Sequence, residues 1–329
     1  MERRLSDRGH YYPPIEGNTW ETTSPAALGW DQLKIEQSIS YIREHNSTAF
    51  LILHKGKMVV EEYWQGWGLD TAMPIFSAAK SVTSVLIGIA QEQSTLRIGD
   101  TMVEYLGKGW TKAPPEKEAA IAIRHILTMT CGLNDDLHYD MDAGVKWYYN
   151  TPAYWKLFPV IEAAIGKSLT DFSREVLWSQ IGMKWCVWNG RTMACSARDM
   201  ARFGLMVLNN GTWQGKDILK DKAFLFDATN QSQELNESYG YLWWLNGEDS
   251  YRLPGPAAES SDGALIPSAP PDMFAALGAA DKKIYIVPSM ELVVVRHGGA
   301  ANEALSASSR FDRQVWDRLM PAILPASII

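Results

Sequence analysis

Strand-forming runs lie near both ends of this chain with a long helix-patterned stretch between them, which implies one sheet assembled across that gap. Near the N-terminus the apolar runs 49–54 and 58–63 flank Lys55-Gly56-Lys57, a hairpin signal. Toward the other end, 241–245, 273–277, 283–287 and 291–296 are strand-like, with Pro288-Ser289-Met290 as a turn between the last two. The segments 77–91, 121–130, 152–165, 169–178 and 197–208 instead carry apolar residues at three-to-four spacing. Gly132, Gly166, Gly182 and Gly211 follow several of them, where left-handed caps belong. Amphipathic segments at 32–44 and about 310–320 bracket the strands. The pattern predicts an α+β fold: an antiparallel sheet flanked by N- and C-terminal helices, drawn from residues 1–72 and 236–329, with a mostly helical lobe, 73–235, inserted. A site is expected at the seam between the lobes.

The balance of the chain excludes several functions. Its 329 residues, 46% hydrophobic and with a net charge of −7, can bury a large core, but no Lys/Arg cluster beyond Arg3-Arg4 offers a basic face, so no nucleic-acid partner is expected. No apolar run approaches the roughly 20 residues of a membrane span, and residues 1–14 do not read as a secretory signal. Cys131, Cys186 and Cys195 are odd in number and lack C-x-x-C spacing. They read as small buried apolar residues in a reducing cytoplasm, without a disulfide framework. The six histidines form no H-x-x-x-H pair, and the Asp135, Asp136, His138, Asp140, Asp142 cluster lacks the glycine and terminal glutamate of a calcium loop, so neither a metal nor a cofactor is expected. The Pro/Gly/Ala/Ser-rich stretch 254–271 reads as a functional loop.

Chemistry enters at Ser77 and Lys80, which open an apolar helical segment one turn apart. Residues at i and i+3 share a helix face, so the amine can reach the hydroxyl. A lysine held among apolar neighbours loses basicity and can take a serine's proton near neutral pH. Trp147-Tyr148-Tyr149-Asn150-Thr151-Pro152 places a tyrosine and an asparagine just before another helix, and Arg296-His297-Gly298-Gly299-Ala300 ends an apolar strand with glycines that allow close backbone approach.

In this order, Ser77-Ala78-Ala79-Lys80, Tyr148-Tyr149-Asn150 and His297-Gly298-Gly299 resemble the S-x-x-K, Y-x-N and K-T-G or H-x-G motifs of the serine β-lactamase and penicillin-binding-protein superfamily. The resemblance lies toward its class C β-lactamase, D-alanyl-D-alanine peptidase, family VIII carboxylesterase and 6-aminohexanoate-dimer hydrolase branch. Residues 125–133, 196–204 and 239–244 are similar to further family segments. The resemblance implies a small-molecule serine hydrolase, monomer or homodimer, with Ser77 as nucleophile, Lys80 and Tyr148 sharing the base and proton-shuttle role, and Asn150 orienting Lys80 or the substrate. It also implies His297, Gly298 and Gly299 along the pocket and the backbone N–H groups of Ser77 and Ala300 facing the oxyanion. Trp147 and Trp244 are expected near the site, and Asp135 and Asp136 at its rim. His297 and Gly298 in place of lysine and a hydroxyl residue leave a β-lactam carboxylate without its expected anchor, which favours esters or small amides. β-Lactamase or D-alanyl-D-alanine peptidase activity, and a catalytically idle ligand-binding relative, are the alternatives.

Overall fold

The computed structural model describes residues 9–255, 259–302 and 310–324. The terminal residues 1–8, part of the expected 254–271 loop (256–258) and parts of the C-terminal lobe (303–309 and 325–329) lie outside the described residues. Helix α1 (Gln32–Glu44) leads into β1 (Ser47–His54) and β2 (Lys57–Tyr63), and the short β3 (Met73–Pro74) precedes α2 (Ala79–Glu92). The middle of the chain contributes α3 (Leu157–Ile165), the hairpin β4 (Val187–Asn189) and β5 (Thr192–Cys195), and α4 (Ala197–Leu208). It then returns through β6 (Trp244–Leu245), β7 (Phe274–Gly278), β8 (Lys282–Val287) and β9 (Leu292–Gly298) to α5 (Phe311–Ile323).

The two ends of the chain build one antiparallel sheet in the order β2-β1-β9-β8-β7-β6. Ser47 pairs with Gly298 and Leu51 with Val295, so the first and last long strands are neighbours inside the sheet. Side chains alternate between faces along each strand. Phe50, Ile52, Tyr285, Val287 and Val294 pack against Ile35 and Ile42 of α1 and Phe311, Val315, Trp316 and Leu319 of α5. Leu51, Leu53, Ile284, Ile286, Val293 and Val295 face the inserted helical region. Helices on both faces explain why these strands read as continuous apolar runs. Helix α4 starts at Ser196, whose hydroxyl accepts from the Asp199 N–H at 3.1 Å while the Asp199 carboxylate answers in a capping box. It lies flat on the sheet because Gly204 has no side chain: a Cβ there would fall 2.6 Å from Val293 Cγ1.

Two features depart from expectation. The middle region carries the β4–β5 hairpin, whose β5 pairs with β3, Met73 opposite Cys195 and Pro74 opposite Ala194. Cys186 and Cys195, at the outer ends of that hairpin, form a disulfide with Cα atoms 4.3 Å apart, so the expectation of unpaired cysteines is corrected. Antiparallel pairing brings together residues whose sequence spacing alone gives no such signal. Cys131 is free and buried. Among the described residues no helix is long and apolar enough to cross a membrane, and no group of three or more His, Cys, Asp or Glu is arranged to hold a metal ion.

Candidate active site

Ser77 lies in a 3₁₀ turn, Phe76–Ala78, that runs directly into α2. What precedes it is held on the hairpin: after β3, the Ile75 N–H donates to the Met193 carbonyl at 2.9 Å. Phe76 then takes a left-handed conformation, φ 49°, a strained choice for a bulky residue that the surrounding pairing enforces.

Lys80 follows one turn later, buried at 2% exposure. Its Nζ is 3.2 Å from Ser77 Oγ and 3.2 Å from Thr151 Oγ1. The rings of Tyr149 and Tyr154 flank the amine, their centroids 4.9 and 4.4 Å from Nζ. Burial lowers its pKa from 10.5 to about 7, so a large fraction is neutral and able to accept a proton near pH 7.

The tyrosine that meets Ser77 is Tyr149. Both line the same cleft; burial pushes the Tyr149 pKa up to about 12, and the Ser77 hydroxyl beside it pulls the other way. Trp244 stacks on its ring, centroids 5.9 Å apart and planes at 24°, while Trp147 and Tyr239 pack at its edges. Tyr148 points elsewhere: its hydroxyl donates to Asp135 Oδ2 at 2.8 Å on the exposed rim. Burial, then the Asp135 hydrogen bond and charge, raise its pKa to about 12. Asn150 caps the short helix Thr151–Tyr154, its Oδ1 accepting from the Ala153 N–H at 2.8 Å. Its Nδ2 donates to the carbonyls of Leu133 and Asn134 at 2.7 and 2.9 Å, so these bonds hold the loop and leave the contact with Lys80 to Thr151. Of the expected Tyr148-Tyr149-Asn150 set, Tyr149 is therefore the residue beside Ser77, and the residue following the set, Thr151, is the one that meets Lys80.

The strand beside Ser77 is also different from the expected one. Gly278, at the end of β7, abuts the nucleophile turn so closely that a Cβ there would fall 2.3 Å from the Ile75 carbonyl oxygen and 3.1 Å from the Ala78 nitrogen. Only glycine permits this approach. Gly278 and the next residue, Ala279, line a cleft of about 580 Å³ together with Ser77, Tyr149 and Trp244. His297, Gly298, Gly299 and Ala300 do not line it, because β9 is separated from β7 by β8. His297 is buried at 2% exposure with no partner at Nε2, and burial, followed by the charges of Lys282 and Arg296, lowers its pKa to about 3. Gly298 and Gly299 pack on Asn46, whose carbonyl accepts the Gly299 N–H at 2.8 Å and whose Nδ2 donates to the Ala300 carbonyl at 3.4 Å. Thus Ser77, Lys80 and Trp244 meet at one place. Trp147 supports it from behind, and Tyr149, Thr151, Gly278 and Ala279 are the members that sequence reasoning missed.

The family model described as Beta-lactamase matches residues 35–307. Among curated proteins, an uncharacterised protein of Alkalihalophilus pseudofirmus is 24% identical over 295 residues, covering 76% of this chain and 83% of its own length. Among solved structures, a presumed 6-aminohexanoate-dimer hydrolase of Bacillus anthracis superposes with a TM-score of 0.70 at 21% identity, covering 94% of this chain and 88% of that one. A presumed β-lactamase of Bacteroides dorei gives 0.71 at 15% identity, with 89% and 99% covered, and a penicillin-binding protein of Bacillus halodurans gives 0.63 at 14%, with 86% and 99% covered. These similarities carry the fold.

Proposed function

We propose, from the premise that this chain belongs to the beta-lactamase family of serine hydrolases, that it cleaves carboxylic esters or small amides through an acyl-enzyme on Ser77. The observation that carries the reading is the buried Lys80 amine, 3.2 Å from Ser77 Oγ, with its pKa lowered to about 7. Neutral Lys80 takes the hydroxyl proton as Ser77 Oγ attacks the carbonyl, and Tyr149, on the same cleft wall, carries a proton toward the leaving group. Thr151 positions the amine from the far side. The backbone N–H groups of Ser77 and Ala279 are the oxyanion donors in this scheme, because Gly278 brings β7 against the nucleophile turn. Water then attacks the acyl carbonyl, the same groups return the proton to Ser77, and a carboxylic acid leaves.

The preference for esters and amides over β-lactams rests on β7. Ala276-Leu277-Gly278 offers neither a cation nor a hydroxyl beside the reacting centre, and a β-lactam carries its carboxylate there.

The test is turnover of short p-nitrophenyl esters, 6-aminohexanoate dimer and a chromogenic cephalosporin by the protein and by Ser77→Ala. Ester hydrolysis that drops by about 10³-fold or more in the variant is expected. No turnover of any substrate, together with no adduct by intact mass after treatment with a phosphonate probe, overturns the reading.

A further inference from the structure

The cleft continues well past the reacting groups. Its wall runs over Trp244, Tyr251, Leu253, Leu265, Ile266 and Leu277, then reaches the turn joining β7 to β8 and the start of α5. Every charged side chain on that wall comes from the far end: Asp281, Lys283, Arg310, Asp312 and Arg313.

The charges there are not equally available. Asp312 accepts from Lys283 Nζ at 2.8 Å and from the Tyr285 hydroxyl at 2.7 Å. Asp281 pairs with the same Lys283 at 3.3 Å and accepts the Ala301 N–H at 2.9 Å. Lys283, buried at 5% exposure, is held between the two carboxylates. Among the described residues, the guanidinium groups of Arg310 and Arg313 have no ion-pair partner. Three cations stand against two carboxylates, both carboxylates are already hydrogen-bonded, and the remaining donors are the guanidinium groups of two residues that line the cleft. An amine would find no free acceptor among these side chains; a carboxylate would find two forks suited to bidentate bonding.

We propose that this end of the cleft recognises a carboxylate, so that the substrate is an ester or amide whose anionic group is separated from the scissile carbonyl by an apolar spacer lying along Trp244, Leu265 and Leu277. The proposal rests on the hydrolase reading of Ser77 and adds a substrate class to it: the anion is held at α5, away from the reacting centre.

Two measurements separate the claims. Linear dicarboxylates from glutarate to sebacate are titrated calorimetrically into the Ser77→Ala protein, each beside its uncharged diamide. At least one diacid is expected to bind about tenfold or more tightly than its diamide. That advantage should shrink to near unity in Ser77→Ala carrying Arg310→Gln and Arg313→Gln, and be partly restored by lysine at both positions. In parallel, the mono-p-nitrophenyl ester of the best diacid is compared with its methyl-capped form, and the ratio of kcat/KM values should favour the free acid, mainly through KM. Equal binding of diacids and diamides, or a preference that survives the double Arg→Gln change, overturns the proposal. Ester turnover without charge preference leaves the hydrolase reading standing and removes this one; charge-selective binding without turnover does the reverse.

Discussion

In an extended segment adjacent side chains point to opposite sides, so of Tyr148 and Tyr149 only one can face Ser77. The phase is set by Asn150, whose cap on the Thr151 helix fixes the segment and sends Tyr149 inward and Tyr148 toward Asp135. Tyr149→Phe is expected to cut kcat by about 10²-fold while Tyr148→Phe stays within about threefold, measured on one p-nitrophenyl ester. A larger loss in Tyr148→Phe than in Tyr149→Phe would reverse the assignment. Lys80 gives a second residue-level prediction. Its neutral form is the base and its pKa is lowered to about 7, so kcat/KM should climb as pH rises through about 7 and then level off. Stability follows the same sign. The folded chain binds this proton more weakly than the unfolded chain, whose lysine titrates near 10.5, so burying the charge costs most below pH 7 and the cost fades between 7 and 10.5. Lys80→Met should therefore abolish turnover yet raise the melting temperature at pH 6 more than at pH 10, by scanning calorimetry. The Ser77–Lys80 pair was legible in the sequence because i, i+3 geometry is local. Thr151 was not, since it reaches Lys80 from 71 positions away.

Elements with strong local signals were also legible. Helix α1 spans 32–44 as its periodicity and the Asp31 cap dictate, and α4 spans 197–208 behind its capping box. The order of strands in the sheet carries no such signal. His297-Gly298-Gly299 looked like a motif end because it closes an apolar strand, but the strand beside the nucleophile is β7, and its mark is one glycine. Gly278→Ala places a methyl group against the Ile75 carbonyl, and is expected to lower kcat/KM at least tenfold with a near-native circular-dichroism spectrum. The β4–β5 hairpin was missed because its strands are three and four residues long. Its disulfide should matter for the fold: the Cys186→Ser, Cys195→Ser pair is expected to lose about 2–3 kcal/mol in a urea titration, as closing a short loop predicts. Because β5 carries β3 and Ile75, the same change should slow ester hydrolysis.

At the scale of the whole molecule, the two-ended sheet predicted from the pattern of strand runs is present, and the helical insertion hangs from it between β2 and β6. Residues far apart in the chain line the cleft: Ser77 and Tyr149 from the inserted stretch, and Trp244, Gly278 and Ala279 on or beside the sheet. The β1–β9 pairing joins partners far apart in the chain: Arg296 Nε of β9 bonds Ser47 Oγ of β1, 249 positions away. During translation β1 and β2 therefore leave the ribosome long before β9 exists, and for that interval the hydrogen-bonding edge of β1 is bare. Such a nascent chain is exposed to strand-to-strand association and folds late and slowly.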